Sequence, residues 1–153
     1  MNNLNIENNE ITNQSKILKD KFDNGRKEWN IKIDILIKMI RSITDINEAQ
    51  VLMLSYRHMI TDNITELQYL YYKLNTNYDK LYKDYFIKYK TNFNLKLNGS
   101  ETDKFTRTDL TDLTYQMEIV NVYLNYFKEV IKTLDNLGYA IKNRIQLEDN
   151  FIK

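Results

Sequence analysis

The chain has 153 residues, the size of one ordinary domain, and its 22 Lys and Arg nearly balance its 21 Asp and Glu. This balance excludes a globally basic, histone-like protein, so binding to a polyanion would have to come from local segregation of charge. The absence of Cys excludes disulfide scaffolds, thiolate nucleophiles and Cys-ligated metal sites. We expect a soluble, helical protein of a reducing compartment.

The first segment, residues 1–15, is rich in Asn and acidic residues and poor in apolar ones, which predicts a disordered or loosely ordered tail. It has no basic start and no apolar core, so we expect no secretory signal. Charged residues interrupt the most apolar stretch of the chain, so we expect no membrane span. Residues 16–153 are expected to form a single all-helical domain in the cytoplasm.

The apolar residues of segment 29–46 fit both the alternation of a strand and the spacing of a helix. Isoleucines alternate as in a strand at Ile31, Ile33, Ile35 and Ile37. Apolar residues also follow the steps of a helix at Trp29, Ile33, Leu36, Ile40 and Ile43. A lone strand in a helical chain would have no sheet to join, so we favour the helix and keep the strand as the alternative.

Two long heptad repeats occupy the rest of the chain. The first predicts a helix over about 60–90, with apolar positions at Ile60, Ile64, Leu67, Tyr71, Leu74, Tyr78, Leu81 and Tyr85. The second predicts a helix over about 108–137, with apolar positions at Leu110, Leu113, Met117, Val120, Leu124, Phe127, Ile131 and Leu134. An apolar repeat of about 3.5 residues requires a partner helix.

The segment between the repeats, 91–107, is predicted to be a loop, and it holds the turn dipeptide Asn98-Gly99, whose residues tolerate positive φ. Gly138 closely follows the second repeat and is predicted to end that helix as a C-terminal glycine. A short amphipathic segment, 139–151, comes after it. The predicted fold is therefore all-α, a long antiparallel helical hairpin with extra N- and C-terminal helices.

Patterns typical of enzymes are absent from the sequence. His58 is the single histidine and cannot build a metal site alone, and there is neither a Gly-rich phosphate loop nor a nucleophile elbow. We therefore expect no catalytic residue, no metal and no cofactor, and we expect that the protein is not an enzyme.

The outward face of the first long helix alternates cations with aromatic rings. Its members, outside the apolar seam except for Lys88 at a d position, are Lys73, Lys80, Lys83, Lys88, Lys90, Tyr69, Tyr72 and Phe86. Lysines neutralise backbone phosphates, and aromatic rings stack on unpaired bases without regard to sequence. The pattern predicts a surface for single-stranded DNA, and the alternative is a set of solvated lysines on an ordinary exposed face.

In the second long helix, apolar residues extend well beyond the a and d positions of the heptad. The resulting apolar face is wide enough to contact two neighbours. We predict oligomerisation through Leu113, Val120, Tyr123, Leu124, Phe127, Val130, Ile131 and Leu134. The alternative is a monomeric bundle of three or four helices in which the N-terminal segment covers this face.

The C-terminal run Leu137-Gly138-Tyr139-Ala140-Ile141-Lys142-Asn143 resembles the signature ending of phage UvsY-type recombination mediator proteins, with Leu137 where that family usually has Arg. The pairs Glu28-Trp29 and Ile33-Asp34 are similar to the family's N-terminal Trp and Ile-Asp, and Leu54-Ser55-Tyr56 is similar to its Leu-x-x-Lys-Tyr. The family's Tyr-Tyr-x-Gly has its nearest match in Tyr85-Phe86-Ile87-Lys88, where Lys88 replaces the glycine. The resemblance covers roughly residues 28–151.

The resemblance implies an accessory protein that binds single-stranded DNA and helps a RecA-like recombinase displace the single-strand DNA-binding protein. It also implies a ring-like homo-oligomer, a hexamer or a heptamer, whose C-terminal helices supply assembly and add Tyr139 and Ile141 to the contact residues. A phage protein of this kind would work in the cytoplasm of an infected bacterium. The alternative is a coiled-coil scaffold that binds proteins and no nucleic acid.

Overall fold

The computed structural model describes residues 3–92 and 96–151, with side chains described over 13–91 and 96–147. Within these residues the protein is all-helical and contains no strand. Its helices are α1 (Asn3–Arg41), α2 (Ile46–Asn92), α3 (Gly99–Asp109) and α4 (Thr111–Phe151). The prediction of an all-α protein is confirmed.

The helical reading of segment 29–46 is confirmed, and the strand alternative is wrong. Trp29, Leu36 and Ile40 are buried in α1 at the helical spacing that the sequence shows. Ile43 lies in the turn between α1 and α2 and is exposed, so the apolar pattern ends one step early.

Several predicted boundaries differ from those of the structure. Helix α2 begins at Ile46 instead of near residue 60, and α4 continues to Phe151 instead of ending near residue 137. Segment 91–107 is not one loop, because α3 begins at Gly99 within it. Residues 93–95 of that segment lie outside the described residues.

The N-terminal segment is helical from Asn3, where composition predicts a loose tail over 1–15. Ser15 is 2% exposed, and its hydroxyl donates a 2.9 Å hydrogen bond to Asp112 Oδ1 at the start of α4. This contact stabilises a polar segment that has too few apolar side chains to fold alone. Residues 1 and 2 lie outside the described residues.

Gly138 does not end a helix, because α4 runs through it. A Cβ at this position would lie 3.2 Å from Met53 Sδ and 3.3 Å from Met53 Cε. The absence of a side chain at Gly138 therefore allows α4 to pack closely against α2. The glycine that suggests a helix end in the sequence is explained here by this tertiary contact.

The dipeptide Asn98-Gly99 begins a helix and does not form a positive-φ turn. The Asn98 side chain accepts a hydrogen bond from the Glu101 backbone N–H, and the Glu101 carboxylate accepts one from the Asn98 N–H, each at 2.9 Å. This reciprocal capping box satisfies backbone donors that the first turn of α3 would otherwise leave free.

The chain, for which the sequence predicts a single domain over 16–153, divides into two compact units. The first unit contains Met1–Lys21 and Gln68–Val122, and the second contains Phe22–Leu67 and Tyr123–Lys153. In the first unit Leu110 and Val120 are buried together with Thr102 and Thr106, whereas the seam residues of α2 remain half-buried or exposed. The heptad of α2 is therefore only partly covered in this unit.

The second unit has an aromatic core to which three helices contribute. The Trp29 ring of α1 makes edge contacts with Tyr56 of α2 and Phe127 of α4, at centroid distances of 5.6 and 5.9 Å. The Arg144 guanidinium donates a 2.7 Å hydrogen bond to the Ile40 carbonyl in the last turn of α1. A cation at this end of a helix satisfies a free carbonyl and interacts favourably with the negative end of the helix dipole.

Candidate nucleic-acid interface

The residues predicted to bind DNA all lie on the part of α2 that belongs to the first unit. Lys73, Lys80, Lys83, Lys88 and Lys90 are exposed. The rings of Tyr69 and Tyr72 are 62% and 66% exposed, whereas Phe86 is half-buried. The structure therefore places seven of the eight predicted residues at the surface, and we call these eight residues together the basic stripe.

The lysines of the basic stripe form no ion pair with a carboxylate in the part of the chain whose side chains are described. From Lys73 to Lys90 the stripe extends about 25 Å, at about 1.5 Å per helical residue. It can therefore present a line of positive charge to a polyanion over several helical turns.

Two of the lysines lie close to aromatic rings. Lys73 Nζ lies 5.2 Å from the centroid of the Tyr69 ring, and Lys88 Nζ lies 5.8 Å from that of Tyr85. Such contacts attract the cation to the ring face while leaving its remaining hydrogens free to donate. Cation and stacking surface thus occur side by side, which is the combination that an unpaired strand requires.

Ring stacking continues from Phe86 of the basic stripe to Tyr82 and Tyr78, which are not members of the stripe. The rings of Tyr78 and Tyr82 are 6.1 Å apart, and those of Tyr82 and Phe86 are 5.9 Å apart, with interplanar angles of 26° and 25°. Spacing of four residues brings side chains together on one helix face. That spacing is visible in the sequence, but Tyr78 also fits the heptad and was assigned to the seam.

Helix α3 is attached to α2 through two tyrosine hydroxyls. Tyr82 donates to Asp103 and Tyr89 donates to Asp109. The hydrogen bond to Asp109, with burial as the second cause, raises the pKa of Tyr89 to about 12. Hydrogen bonds from Tyr82 and from the Arg107 guanidinium lower the pKa of Asp103, so this carboxylate keeps its charge. Asp103, Arg107 and Asp109 of α3 therefore already have hydrogen-bond partners within the first unit.

The residues predicted to join subunits are mostly buried within the single chain. Seven of them are less than a tenth exposed: Val120, Tyr123, Leu124, Phe127, Val130, Leu134 and Ile141. Leu113 and Ile131 are half-buried, and Tyr139 is 69% exposed. Most of the wide apolar face of α4 is thus buried within the single chain. A contact with a second copy would have to use Tyr139 and other exposed residues.

The described side chains contain no group of three His, Asp or Glu that could hold a metal ion. His58 is exposed, and its Nε2 lies 3.6 Å from Asp62 Oδ2 on the same helix.

In the part of the chain that the structure describes, no helix combines the length and the apolar character that crossing a membrane requires.

Comparison with known proteins found no match among family models, curated proteins or solved structures.

Proposed function

We propose that the protein binds single-stranded DNA through the basic stripe and acts as a recombination mediator. The observation that supports this proposal is the set of five exposed lysines, free of ion pairs with the described residues and interspersed with exposed aromatic rings. Because these residues are exposed on one helix, a flexible strand can contact the lysines with its phosphates and the aromatic rings with its bases at the same time.

Counterion release supplies the affinity in this proposal. Each lysine that neutralises a phosphate releases condensed cations, which contributes a slope of about −0.7 to a plot of log affinity against log salt for single strands. Five lysines would give a slope of roughly −3.5. Stacking on Tyr69 and Tyr72 would add affinity that is independent of base identity and favours unpaired over paired DNA.

The mediator role rests on the resemblance of the C-terminal run to UvsY-type proteins. In that role the protein holds the strand in a geometry that a RecA-like recombinase prefers, and so favours displacement of the single-strand DNA-binding protein. A ring-like homo-oligomer, a hexamer or heptamer in this proposal, would place several stripes on one strand and multiply their effective concentration.

The first experiment replaces Lys80, Lys83, Lys88 and Lys90 with Ala and measures binding of a fluorescent oligonucleotide by anisotropy at several salt concentrations. We expect affinity at low salt to fall at least about tenfold and the salt slope to decrease by roughly 2.8, which is four times 0.7. Helix content, measured by circular dichroism, should remain unchanged because all four side chains are exposed.

The matched control replaces four exposed lysines of the second unit, Lys27, Lys38, Lys128 and Lys142, with Ala. It has the same net charge as the first variant, so equal losses in both would show diffuse electrostatic attraction and contradict this site. Absence of saturable binding by the unmodified protein at low salt would instead favour the coiled-coil scaffold.

A further inference from the structure

The first unit contains a cleft between α2, the end of α3 and the start of α4, with a volume of about 520 Å³. Sites for small molecules usually enclose roughly 300–1,000 Å³. The lining of this cleft includes two threonines, Thr111 and Thr114, and the side chains of Tyr78, Asp79, Arg107, Tyr115, Met117 and Glu118. We call this feature the acid–tyrosine cleft, and it contains no residue of the basic stripe.

The charge of the acid–tyrosine cleft favours a cation. Asp79 and Glu118 are exposed, and neither makes an ion pair with a described residue. Arg107 is already bound, because its Nε donates to both carboxylate oxygens of Asp103 at 2.9 Å. The Arg107 guanidinium also lies 6.0 Å from the Tyr82 ring. The two uncompensated carboxylates therefore set the sign of the charge.

The two threonine hydroxyls of the cleft offer little to an anion. Thr111 Oγ1 donates to the Thr108 carbonyl at 2.8 Å, and Thr114 Oγ1 donates to the Leu110 carbonyl at 3.1 Å. Their hydrogens are thus donated to backbone carbonyls around the junction of α3 and α4, so a ligand would meet the oxygen lone pairs. At these two hydroxyls a phosphate group would meet acceptor oxygens.

Aromatic and thioether groups complete the cleft. Tyr115 is 43% exposed, and Tyr78 is half-buried on the facing helix. Tyrosine ring faces attract organic cations through the ring quadrupole, and the Met117 side chain provides an adaptable apolar contact for methylene groups. The lining therefore matches a ligand that is both cationic and aliphatic.

We propose that the acid–tyrosine cleft binds an aliphatic polyamine, a linear chain with two or more ammonium groups. Asp79 on α2 and Glu118 on α4 contribute separate carboxylates, so two ammonium groups on one ligand can each pair with one of them. A single lysine side chain of a protein partner carries one charge and would leave the other carboxylate without a partner. This inference does not depend on the DNA-binding proposal.

The test is calorimetric titration of the full chain with spermidine, putrescine and butylamine at low salt. We expect saturable binding of one spermidine per chain, with butylamine weaker by at least about tenfold because it makes only one charge-assisted contact. The double variant D79N/E118Q should lose at least about tenfold in spermidine affinity. The variant Y115L, which keeps the charge and removes the ring, should also bind more weakly.

The control variant D84N/E66Q removes two exposed carboxylates of α2 outside the cleft and should bind spermidine like the unmodified protein. Equal weakening in this control would show diffuse attraction and overturn the proposal. Lack of saturable spermidine binding would overturn it as well, and so would tighter binding of a trilysine peptide than of spermidine, which would indicate a protein partner. Thermal unfolding of every variant checks that each one is folded.

Discussion

At the scale of single residues, Gly25 lies inside α1, and the Tyr123 hydroxyl occupies the space that a Cβ would need. The Tyr123 ring stacks on Phe22 at 4.3 Å and contacts Phe127 at 4.6 Å, so neighbours on both sides hold it in place. Tyr123 makes no hydrogen bond to a described residue. Burial raises the pKa of Tyr123 to about 12, which reflects the cost of a charge at this place.

Replacing Gly25 with Ala is therefore expected to destabilise the protein by about 1–3 kcal/mol, because overpacking exceeds the gain of about 1 kcal/mol in helix propensity. Tyr123→Phe alone should change stability by less than about 0.5 kcal/mol, since the hydroxyl has no partner among the described residues. In the Tyr123→Phe background the cost of Gly25→Ala should fall by about 1 kcal/mol or more.

Urea unfolding of the four proteins of this double-mutant cycle measures the coupling between the two positions. A Gly25→Ala variant more stable than the unmodified protein would show that the ring yields, and an unchanged cost in the Tyr123→Phe background would show that the hydroxyl is not the obstacle.

At the scale of elements, α3 is a short polar helix that depends on its ends and its attachments. The capping box of Asn98 and Glu101 satisfies its first turn, and the hydroxyls of Tyr82 and Tyr89 attach its acidic residues to α2. Isolated helices of this length are unstable in water. Its existence therefore depends on local capping and on tertiary hydrogen bonds more than on apolar burial.

Two neighbouring substitutions in α3 are expected to act in opposite directions. Asn98→Ala should destabilise the protein by about 0.5–2 kcal/mol because it removes the cap. Gly99→Ala should stabilise it by about 0.4–1 kcal/mol, since a Cβ there meets no atom within 4 Å and φ is not positive. Thermal unfolding gives the sign of each change, and amide hydrogen exchange localises it to α3. A destabilising Gly99→Ala would indicate that this position needs a conformation reserved for glycine.

At the scale of the whole molecule, α4 supplies both buried and exposed apolar side chains, and only the exposed ones can serve assembly. Phe127 is 1% exposed, whereas Tyr139 is 69% exposed on the same helix. We expect Phe127→Ala to cost about 3–5 kcal/mol of folding free energy. Tyr139→Ala should leave the folding free energy within about 0.5 kcal/mol.

Light scattering across a range of protein concentrations measures the mass of each variant beside its unfolding curve. If the protein assembles through exposed residues, Tyr139→Ala lowers the mass and keeps the stability. A Phe127→Ala protein of unchanged stability and lower mass would contradict the burial of Phe127 within its own chain and restore it as a subunit contact.

The sequence predicted the helices well because heptad spacing is a local property of the chain. The buried residues Leu124, Phe127 and Leu134 follow that spacing. Four lysines of the basic stripe are exposed as their positions outside the seam indicate, whereas Lys88 is exposed at a seam position. It predicted helix ends poorly, because a glycine looks the same when it ends a helix and when it admits a neighbour such as Met53.

By itself, then, the sequence determined the all-α class, the apolar faces of the long helices and the exposure of the lysines, since all three follow from periodicity along a single helix. Only the tertiary structure decided what covers each face. The apolar width of α4 predicts two neighbours, but periodicity does not specify whether they belong to the same chain or to another copy. The packing of Trp29 of α1 against Phe127 identifies a segment of the same chain as a neighbour of this residue, and burial here depends on a contact between residues about a hundred positions apart.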